Sequence, residues 1–268
     1  MKDGYWVVRT YQAGRVGEKT KFWVPGKRPD KRLSKKAKAK LRKQEQNEYS
    51  SIKQAARILN ENYTAKDTLL GLDYSEKGME KLEKWIVSQG IDLQQLDDAQ
   101  KLCVYWQAAD HELNNCLRRA KRNAKKLGVE IKAFYVTSDL DPYTGETVRV
   151  HHHLVINPEA KQAFIDAWKD MGGVDYESLY GYQEDRTQLA EYLLKQVRHV
   201  PNIKKFKTTR NLTRPEPKDR IVLSDAELRV PRHAKLVYRN EFTRSGQPQY
   251  IRYVLPAWKE DPPDSSAE

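Results

Sequence analysis

The stretch TVRVHHHLVIN, residues 147–157, decides the fold predicted for this sequence. Its alternating β-branched and aliphatic residues are typical of a β-strand, and an Asn-Pro dipeptide ends the run. Because successive strand side chains point to opposite faces of a sheet, His151 and His153 share one face while His152 lies on the other. Two imidazoles spaced in this way are candidate metal ligands, although a histidine pair can also serve packing and hydrogen bonding alone.

A second informative stretch, DRTQLAEYLLKQVR at residues 185–198, has the spacing of an amphipathic helix. Asp185 and Gln188 resemble a capping box, so Asp185 is the predicted N-cap. The buried stripe is expected to consist of Leu189, Leu193 and Val197. A neighbouring face of the helix carries polar residues at helical spacing: Gln188, Tyr192, Lys195 and Gln196. Tyr192 is one of fifteen tyrosines, and a half-buried packing role is the alternative to a chemical one.

The composition favours a polyanionic partner. The 268 residues include 49 lysines and arginines against 37 aspartates and glutamates, a formal net charge of +12 at pH 7. Such a balance is typical of proteins that bind nucleic acid or an acidic membrane surface. No apolar run approaches a membrane span and no signal peptide is recognisable, so we expect no membrane partner and a cytoplasmic location. The two cysteines are too few for a zinc motif or a disulfide framework.

Two segments concentrate the positive charge, residues 25–43 and residues 204–220. The first is expected to begin a helix that runs to about residue 62, with Ser34 as its N-cap, and the second is expected to be a loop or clamp. A solvated charged surface is the alternative, but the net charge favours contacts with phosphates. The predicted DNA-binding residues are Lys27, Arg28, Lys31, Arg32, Lys204, Lys205, Lys207, Arg210 and Arg214.

The remaining patterns predict an α+β fold with a central antiparallel sheet and flanking helices. Residues 67–74 and 131–138 have strand patterns, and a turn sequence at 141–145 returns the histidine strand antiparallel beside the second of them. Residues 75–89, 97–127 and 159–171 have helical patterns. We predict an N-terminal hairpin and basic helix over 1–66, a core domain over 67–200, a basic loop and C-terminal hairpin over 201–258, and a disordered tail over 259–268.

Together these motifs resemble the HUH endonucleases, the single-strand nicking enzymes of rolling-circle replication and related transposition. The resemblance rests on HHHLVI at 151–156, on AEYLLKQ at 190–196 and on the element order, and it covers about half of the chain. The sequences VTSDLDPYTGETVRVHHHLVIN at 136–157 and TTRNLTRP at 208–215 are similar to those of replication-associated proteins of phages and mobile elements, including relatives of the filamentous-phage gene II protein. The resemblance to the HUH endonucleases implies a ferredoxin-like sheet of the RRM type, with residues 67–200 as the nicking domain.

The resemblance also implies the chemistry. Tyr192 would attack a phosphodiester of single-stranded DNA, forming a 5′-phosphotyrosine and leaving a free 3′-hydroxyl. Lys195, one helical turn away, could neutralise charge on the phenolate or the phosphate. A divalent ion, Mn²⁺ or Mg²⁺, held by His151 and His153 would polarise the phosphate.

The third metal ligand stays open in the sequence. Related replication enzymes often carry a glutamate on the preceding strand, where this chain has Ser138. Gln196, four residues after Tyr192, resembles the ligand of single-tyrosine transposases of the superfamily and is the first choice. Asp139 is the second choice, because a one-residue shift in register decides which face it occupies.

Two other functions remain possible from the sequence. A non-enzymatic DNA-binding accessory factor or repressor would explain the basic segments but neither the histidine strand nor the Tyr-x-x-Lys-Gln helix. A transposase or relaxase of the same superfamily would share the chemistry. The expected partners are single-stranded or hairpin origin DNA. A host helicase and polymerase are expected too, because the chain has no Gly-rich phosphate loop ending in Lys-Ser or Lys-Thr.

Overall fold

A computed structural model describes residues 4–25, 36–182, 184–198, 204–222, 227–240 and 248–257, with the backbone alone at residue 25 and at residues 36–48. The described strands and helices follow in this order: β1 (Gly4–Ala13), β2 (Val16–Pro25), α1 (Lys36–Asn62), β3 (Thr68–Asp73), α2 (Glu76–Ser88), α3 (Asp98–Lys126), β4 (Ala133–Leu140), β5 (Thr147–Ile156), α4 (Lys161–Trp168), β6 (Val174–Ser178), α5 (Thr187–Lys195), β7 (Lys207–Thr208), β8 (Lys218–Val222), β9 (Lys235–Arg239) and β10 (Gln249–Val254).

The chain divides into two compact units. One combines Met1–Asn47 with Arg214–Glu268, and the other is Glu48–Thr213. The second unit contains a sheet, here called the histidine sheet, whose described strands lie in the order β6-β3-β5-β4-β7 with antiparallel neighbours. The strand that carries the three histidines is therefore central. The predicted α+β fold with a central antiparallel sheet and flanking helices is confirmed.

Both faces of the histidine sheet are covered by helices, because both carry apolar side chains. On one face Leu72 and Leu154 pack with buried residues of α2, α3 and α4. On the other face Leu69 and Val155 pack with buried residues of α1 and α5. Side chains that alternate along β5 are therefore divided between two separate hydrophobic clusters. His152 lies on the first face, and His151 and His153 lie on the second.

The helix and turn boundaries follow from local side-chain chemistry. Ser75 caps α2 by accepting a hydrogen bond from the Gly78 backbone nitrogen at 3.1 Å. Asp97 and Gln100 form a capping box at the start of α3, and Gly128, at a φ of 70°, follows its end. In the turn that joins β4 to β5, Asp141 accepts two backbone hydrogen bonds, at 2.9 and 2.8 Å.

The predicted start of α5 is wrong. The helix begins at Thr187, and its N-cap residue, Arg186, makes no side-chain capping bond. Asp185 instead accepts hydrogen bonds from the backbone nitrogen and hydroxyl of Thr187, at 3.0 and 2.7 Å, and one from Asn60 of α1 at 3.3 Å. The aspartate therefore ties the helix start to α1 as well as to its own chain, and no capping box with Gln188 forms.

The two predicted hairpins belong to one sheet, here called the terminal sheet. Its described strands lie in the order β8-β1-β2-β10-β9, because β2 of the first hairpin pairs with β10 of the second. The backbone of α1 crosses the division between the units at residues 47 and 48. The structure thus divides the chain differently from the predicted limits at residues 66, 200 and 258, since long-range strand pairing joins the two ends of the sequence.

The segment 204–220 is more ordered than the predicted loop or clamp. Within it β7 pairs with β4, Phe206 stacks on Phe134 with ring centroids 5.0 Å apart, and Leu212 is buried in the cluster that α1 and α5 share. Apolar residues spaced between the cations make these contacts. Ser34 and the predicted tail lie outside the described residues, and no described helix is long and apolar enough to cross a membrane.

His152 is a core residue. Its Nε2 lies 2.8 Å from the Tyr74 hydroxyl and its Nδ1 lies 3.0 Å from the Thr137 hydroxyl. The rings of Tyr74 and Trp168 meet it edge to face. Burial lowers the pKa of His152 well below its usual value, so the ring stays neutral, with one nitrogen donating and the other accepting.

We predict that His152→Ala lowers the free energy of unfolding by about 2–4 kcal/mol, because it leaves a cavity and two buried hydroxyls without partners. Tyr74→Phe, which removes one hydroxyl only, should cost about 1–2 kcal/mol. Urea denaturation followed by circular dichroism measures both. A His152→Ala protein as stable as the parent would show that the histidine does not hold the core.

Candidate functional site

His151 and His153 meet on one face of β5, and a side chain from α5 completes the group. The two Nε2 atoms are 3.1 Å apart, and His153 Nε2 is also 3.1 Å from Gln196 Oε1. These three donor atoms come from the central strand and from the end of the last helix of this unit. The predicted convergence of the histidine strand with the Tyr-x-x-Lys-Gln helix therefore occurs through Gln196.

The hydrogen bonds of His151 fix which of its nitrogens is available to a metal. Its Nδ1 lies 3.0 Å from the Arg149 carbonyl oxygen, and because a carbonyl can only accept, Nδ1 carries the hydrogen. In the neutral form of the ring that binds a metal, the lone pair is then on Nε2, the atom that faces His153. This backbone contact is the usual way in which a metal-ligating histidine is oriented.

His153 is neutral and its Nε2 lies between two acceptors. Burial lowers its pKa to about 4, the proximity of His151 lowers it as well, and the hydrogen bond with Gln196 opposes the shift. At neutral pH the ring therefore carries no positive charge that would repel a cation. A hydrogen on His153 Nε2 would point between His151 Nε2 and Gln196 Oε1. A metal ion bound by all three atoms would take the place of this hydrogen.

The amide of Gln196 is oriented by its own helix. Its Nε2 donates to the Tyr192 carbonyl oxygen at 3.0 Å, which leaves Oε1 directed at His153. The side chain is almost fully buried, with 2 % exposure. A buried amide needs both of its polar atoms satisfied, so this pair of contacts holds it in one orientation.

The donor set fits a divalent cation in chemistry and spacing. Two ligands each about 2.0–2.2 Å from one ion lie about 3 Å apart, which is the separation found here. Ser138 faces His151 across the β4–β5 ladder, and its buried hydroxyl has no hydrogen-bond partner among the described residues. Two imidazoles with an amide oxygen suit Mn²⁺ or Mg²⁺ with further oxygen ligands. The described residues contain no group of three or more His, Cys, Asp or Glu placed to hold a metal, so the third donor would be the amide.

Asp139, the second-choice ligand, is not placed with the histidines. Its Oδ2 accepts a hydrogen bond from Arg198 Nε at 2.7 Å. Thr137 pairs with His152 in the β4–β5 ladder, and regular alternation would put Asp139 on the same face as His152. The register of the ladder shifts between Ser138 and Leu140, at the position of Asp139. A carboxylate neutralised by an arginine in this way is a structural ion pair, and Gln196 is the better candidate.

Tyr192 lies beside the histidine pair but is not activated by its surroundings. Its ring centroid is 5.8 Å from that of His153, and the side chain is half-buried. Burial raises the pKa of Tyr192 and a hydrogen bond with Gln196 lowers it, while the charges of Glu177 and Asp141 add to the increase. The phenol is therefore protonated at neutral pH, and a nucleophilic role requires a cation to stabilise its phenolate.

The other predicted residues are dispersed. Lys195 and Lys204 are exposed, as is Arg210. The ammonium of Lys207, another predicted DNA-binding residue, pairs with both carboxylate oxygens of Asp110 at 2.5 and 2.7 Å. Lys205 is half-buried and Arg214 exposed. Lys27, Arg28, Lys31 and Arg32 lie outside the described residues.

Asp73 is an acidic neighbour of His151 that the sequence did not indicate, although its carboxylate does not form a metal-binding group with the two histidines among the described residues. It faces His151 across the β3–β5 ladder, and because Leu72 points into the opposite cluster, its carboxylate is on the histidine face. The only sequence signal was an acidic residue at the end of a buried strand. The position of Asp73 opposite His151 depends on the pairing of β3 with β5, which no local pattern specifies.

Comparison with protein-family models, with curated proteins and with solved structures finds no match for this chain. The assignment of a function therefore depends on the geometry of the site and on general chemistry.

We predict that His151→Ala, His153→Ala and Gln196→Ala each weaken Mn²⁺ binding at least tenfold, because each removes one of three converging donor atoms. Isothermal titration of the metal-free protein measures the affinity directly. Asp139→Asn is the control and should bind Mn²⁺ as tightly as the parent. Loss of affinity in the Asp139 variant with retention in the Gln196 variant would reverse the choice of third ligand.

Proposed function

We propose that this protein is a metal-dependent enzyme that nicks and rejoins single-stranded DNA through Tyr192, as the initiator of rolling-circle replication. The observation that carries the proposal is the meeting of a tyrosine and an amide on one helix with two histidines on the central strand. The apolar residues of β5 and His152 already supply the core contacts of this strand, so a cluster of two imidazoles, an oriented amide oxygen and an adjacent phenol has no evident packing purpose.

The reaction is a transfer between two oxygen nucleophiles. The Tyr192 phenolic oxygen gives up its proton and attacks the scissile phosphorus, the bond from phosphorus to the 3′ oxygen breaks, and the 3′ oxygen takes up one proton, so that the number of protons is unchanged. The product is a 5′-phosphotyrosine with a free 3′-hydroxyl that can prime synthesis. One phosphodiester replaces another, so the same residues can run the step backwards and rejoin the strand.

The residues of the site divide the work of this step. His151, His153 and Gln196 would hold Mn²⁺ or Mg²⁺, which when bound supplies Lewis-acid stabilisation of the phosphate oxygens. Gln196 also connects the backbone of Tyr192 to His153 through its two hydrogen bonds. Lys195 is exposed one turn from Tyr192 and can pair with the phosphate of a bound strand.

A transposase of the same superfamily is the second candidate. The specific observation in its favour is that the side chain beside the histidines is that of Gln196, four residues after Tyr192, while the preceding strand offers Ser138 in place of an acidic ligand. The chemistry of the two candidates is the same. A DNA-binding accessory protein or repressor would explain the net charge but not the site.

The substrate is proposed to be single-stranded or extruded-hairpin DNA, with host helicase and polymerase acting after the nick. Exposed Lys204 and Arg210 support phosphate contacts from the segment 204–220. The sequence contains no nucleotide-binding loop of the Gly-Lys-Ser or Gly-Lys-Thr type, so strand separation is assigned to another protein.

We predict that Tyr192→Phe abolishes covalent attachment to single-stranded origin DNA in Mn²⁺ while DNA affinity stays within about twofold, because only the phenolic oxygen is lost. Denaturing gel electrophoresis of labelled DNA detects the adduct. Tyr182→Phe, which changes a neighbouring tyrosine packed against the same cluster, is the control and should retain the adduct. An adduct that persists in the Tyr192 variant and disappears in the Tyr182 variant would move the nucleophile to Tyr182.

We predict that Lys204→Gln with Arg210→Gln reduces the slope of log affinity against log salt by about 1.4, since each single-strand phosphate contact contributes about 0.7. Fluorescence polarisation over a salt series measures the slope. Lys77→Gln with Lys84→Gln, two exposed positions on α2, removes the same charge and should leave the slope unchanged. Equal effects of both pairs would mean that only net charge matters.

A further inference from the structure

One face of the terminal sheet collects cations from three parts of the sequence. Cross-strand partners point to the same side of a sheet, so the pairings of β1 with β2 and β8 place these side chains together. Two neighbouring rows cross the three strands, with Arg220, Val8 and Lys21 in the first and Lys218, Thr10 and Lys19 in the second. Lys21 is buried, with 2 % exposure, whereas Lys218 and Arg220 are exposed and Lys19 is half-buried, so residues about 200 positions apart form a single basic surface with Lys21 beneath it.

A cavity of about 610 Å³ opens on these rows. It is lined by the four cations of the rows and by a fifth cation, Arg229. Its two acidic lining residues are both engaged elsewhere. Asp219 pairs with Arg9 at 2.7 Å, and Glu227 pairs with Arg239 at 3.1 Å. Within the described part of the chain, Lys218, Arg220 and Arg229 form no ion pair, so the cavity is positively charged.

The environment of Lys19 reflects this accumulation of charge. Its ammonium donates to the Arg229 carbonyl oxygen at 3.0 Å and lies 5.6 Å from the centre of the Tyr253 ring. Burial lowers the pKa of Lys19, and the nearby charge of Arg220 lowers it further. A bound anion between these two side chains would remove the repulsion.

The next row of the same face carries an aromatic pair. Trp6 and Trp23 face each other across β1 and β2, with ring centroids 5.2 Å apart in an edge-to-face arrangement. Trp23 is 38 % exposed, and its ring lies against Gly4, where a Cβ atom would come within 2.5 Å. Lys21 lies 4.8 Å from the centre of the Trp6 ring. An exposed indole thus stands directly beside the cationic rows.

We propose that this face of the terminal sheet is a separate binding surface for a single strand of nucleic acid, with phosphates over the cationic rows and an unpaired base stacked on Trp23. Cations that track a backbone beside an exposed aromatic ring are what sequence-tolerant single-strand binding requires. A duplex keeps its bases stacked inside and offers none to the indole. The surface does not depend on the chemistry proposed for Tyr192.

The test is fluorescence polarisation with labelled oligo(dT) and oligo(U), in EDTA and in a Tyr192→Phe background, so that cleavage cannot contribute. Lys218→Gln with Arg220→Gln should weaken binding at least tenfold and reduce the salt slope by about 1.4. Lys77→Gln with Lys84→Gln is the matched charge control. Equal losses in the two double variants would overturn the proposal.

The stacking of a base on Trp23 is tested separately, with the same two labelled oligomers. Trp23→Leu should weaken binding of both oligomers about tenfold. Tyr5→Leu changes an exposed aromatic residue on the opposite face of β1 and should have no effect. Thermal unfolding by circular dichroism verifies that each variant is folded.

The remaining outcomes are also decisive. Tighter binding of one oligomer identifies DNA or RNA as the strand, and equal binding means that backbone and stacking alone are recognised. A duplex of equal length that binds as tightly as the single strand, with no effect of Trp23→Leu, would reduce the surface to a polyanion patch and overturn the proposal. Because no metal or nucleophile is involved, failure of covalent attachment to DNA leaves this result unaffected.

Discussion

The hydrogen bonds of the buried His152 are the constraint on which the candidate site depends. An imidazole in a hydrophobic cluster must have both nitrogens satisfied, and the hydroxyls of Tyr74, directly after β3, and of Thr137, within β4, do this from the two strands that flank β5. A slip of β5 by one residue would expose His152 and bury His151 and His153 in the wrong cluster. The core histidine therefore fixes the register that presents the other two as a pair.

Helix α5 contributes to the site through a similar requirement. Its buried stripe packs in the cluster shared with α1, and this packing brings Gln196 to the histidines at the point where the helix ends. The buried amide then satisfies both its atoms by contacts to Tyr192 and His153. Gln196 and Tyr192 are thus held by one short helix and its end, and a shift of that helix would move both together.

The positive charge of the chain has several distinct uses. Lys207 forms an ion pair with Asp110, and Arg198 forms one with Asp139, so these cations stabilise the fold. The cations of the terminal sheet, by contrast, surround a cavity whose acids are paired elsewhere. Net charge alone predicts a polyanionic partner, but only the pairing of each side chain tells which surface can bind it.

Local patterns in the sequence determined most of the elements, though not β7 and β8, and the division of the histidines between two faces, because strand and helix periods are local properties. They also indicated Tyr192 and Gln196 on one helix, through the resemblance to a known motif. Tertiary structure decided the rest. The contact of Gln196 with His153, the ion pair of Asp139 with Arg198, the position of Asp73 and the union of the two hairpins in one sheet all depend on contacts between distant residues, which no local pattern specifies.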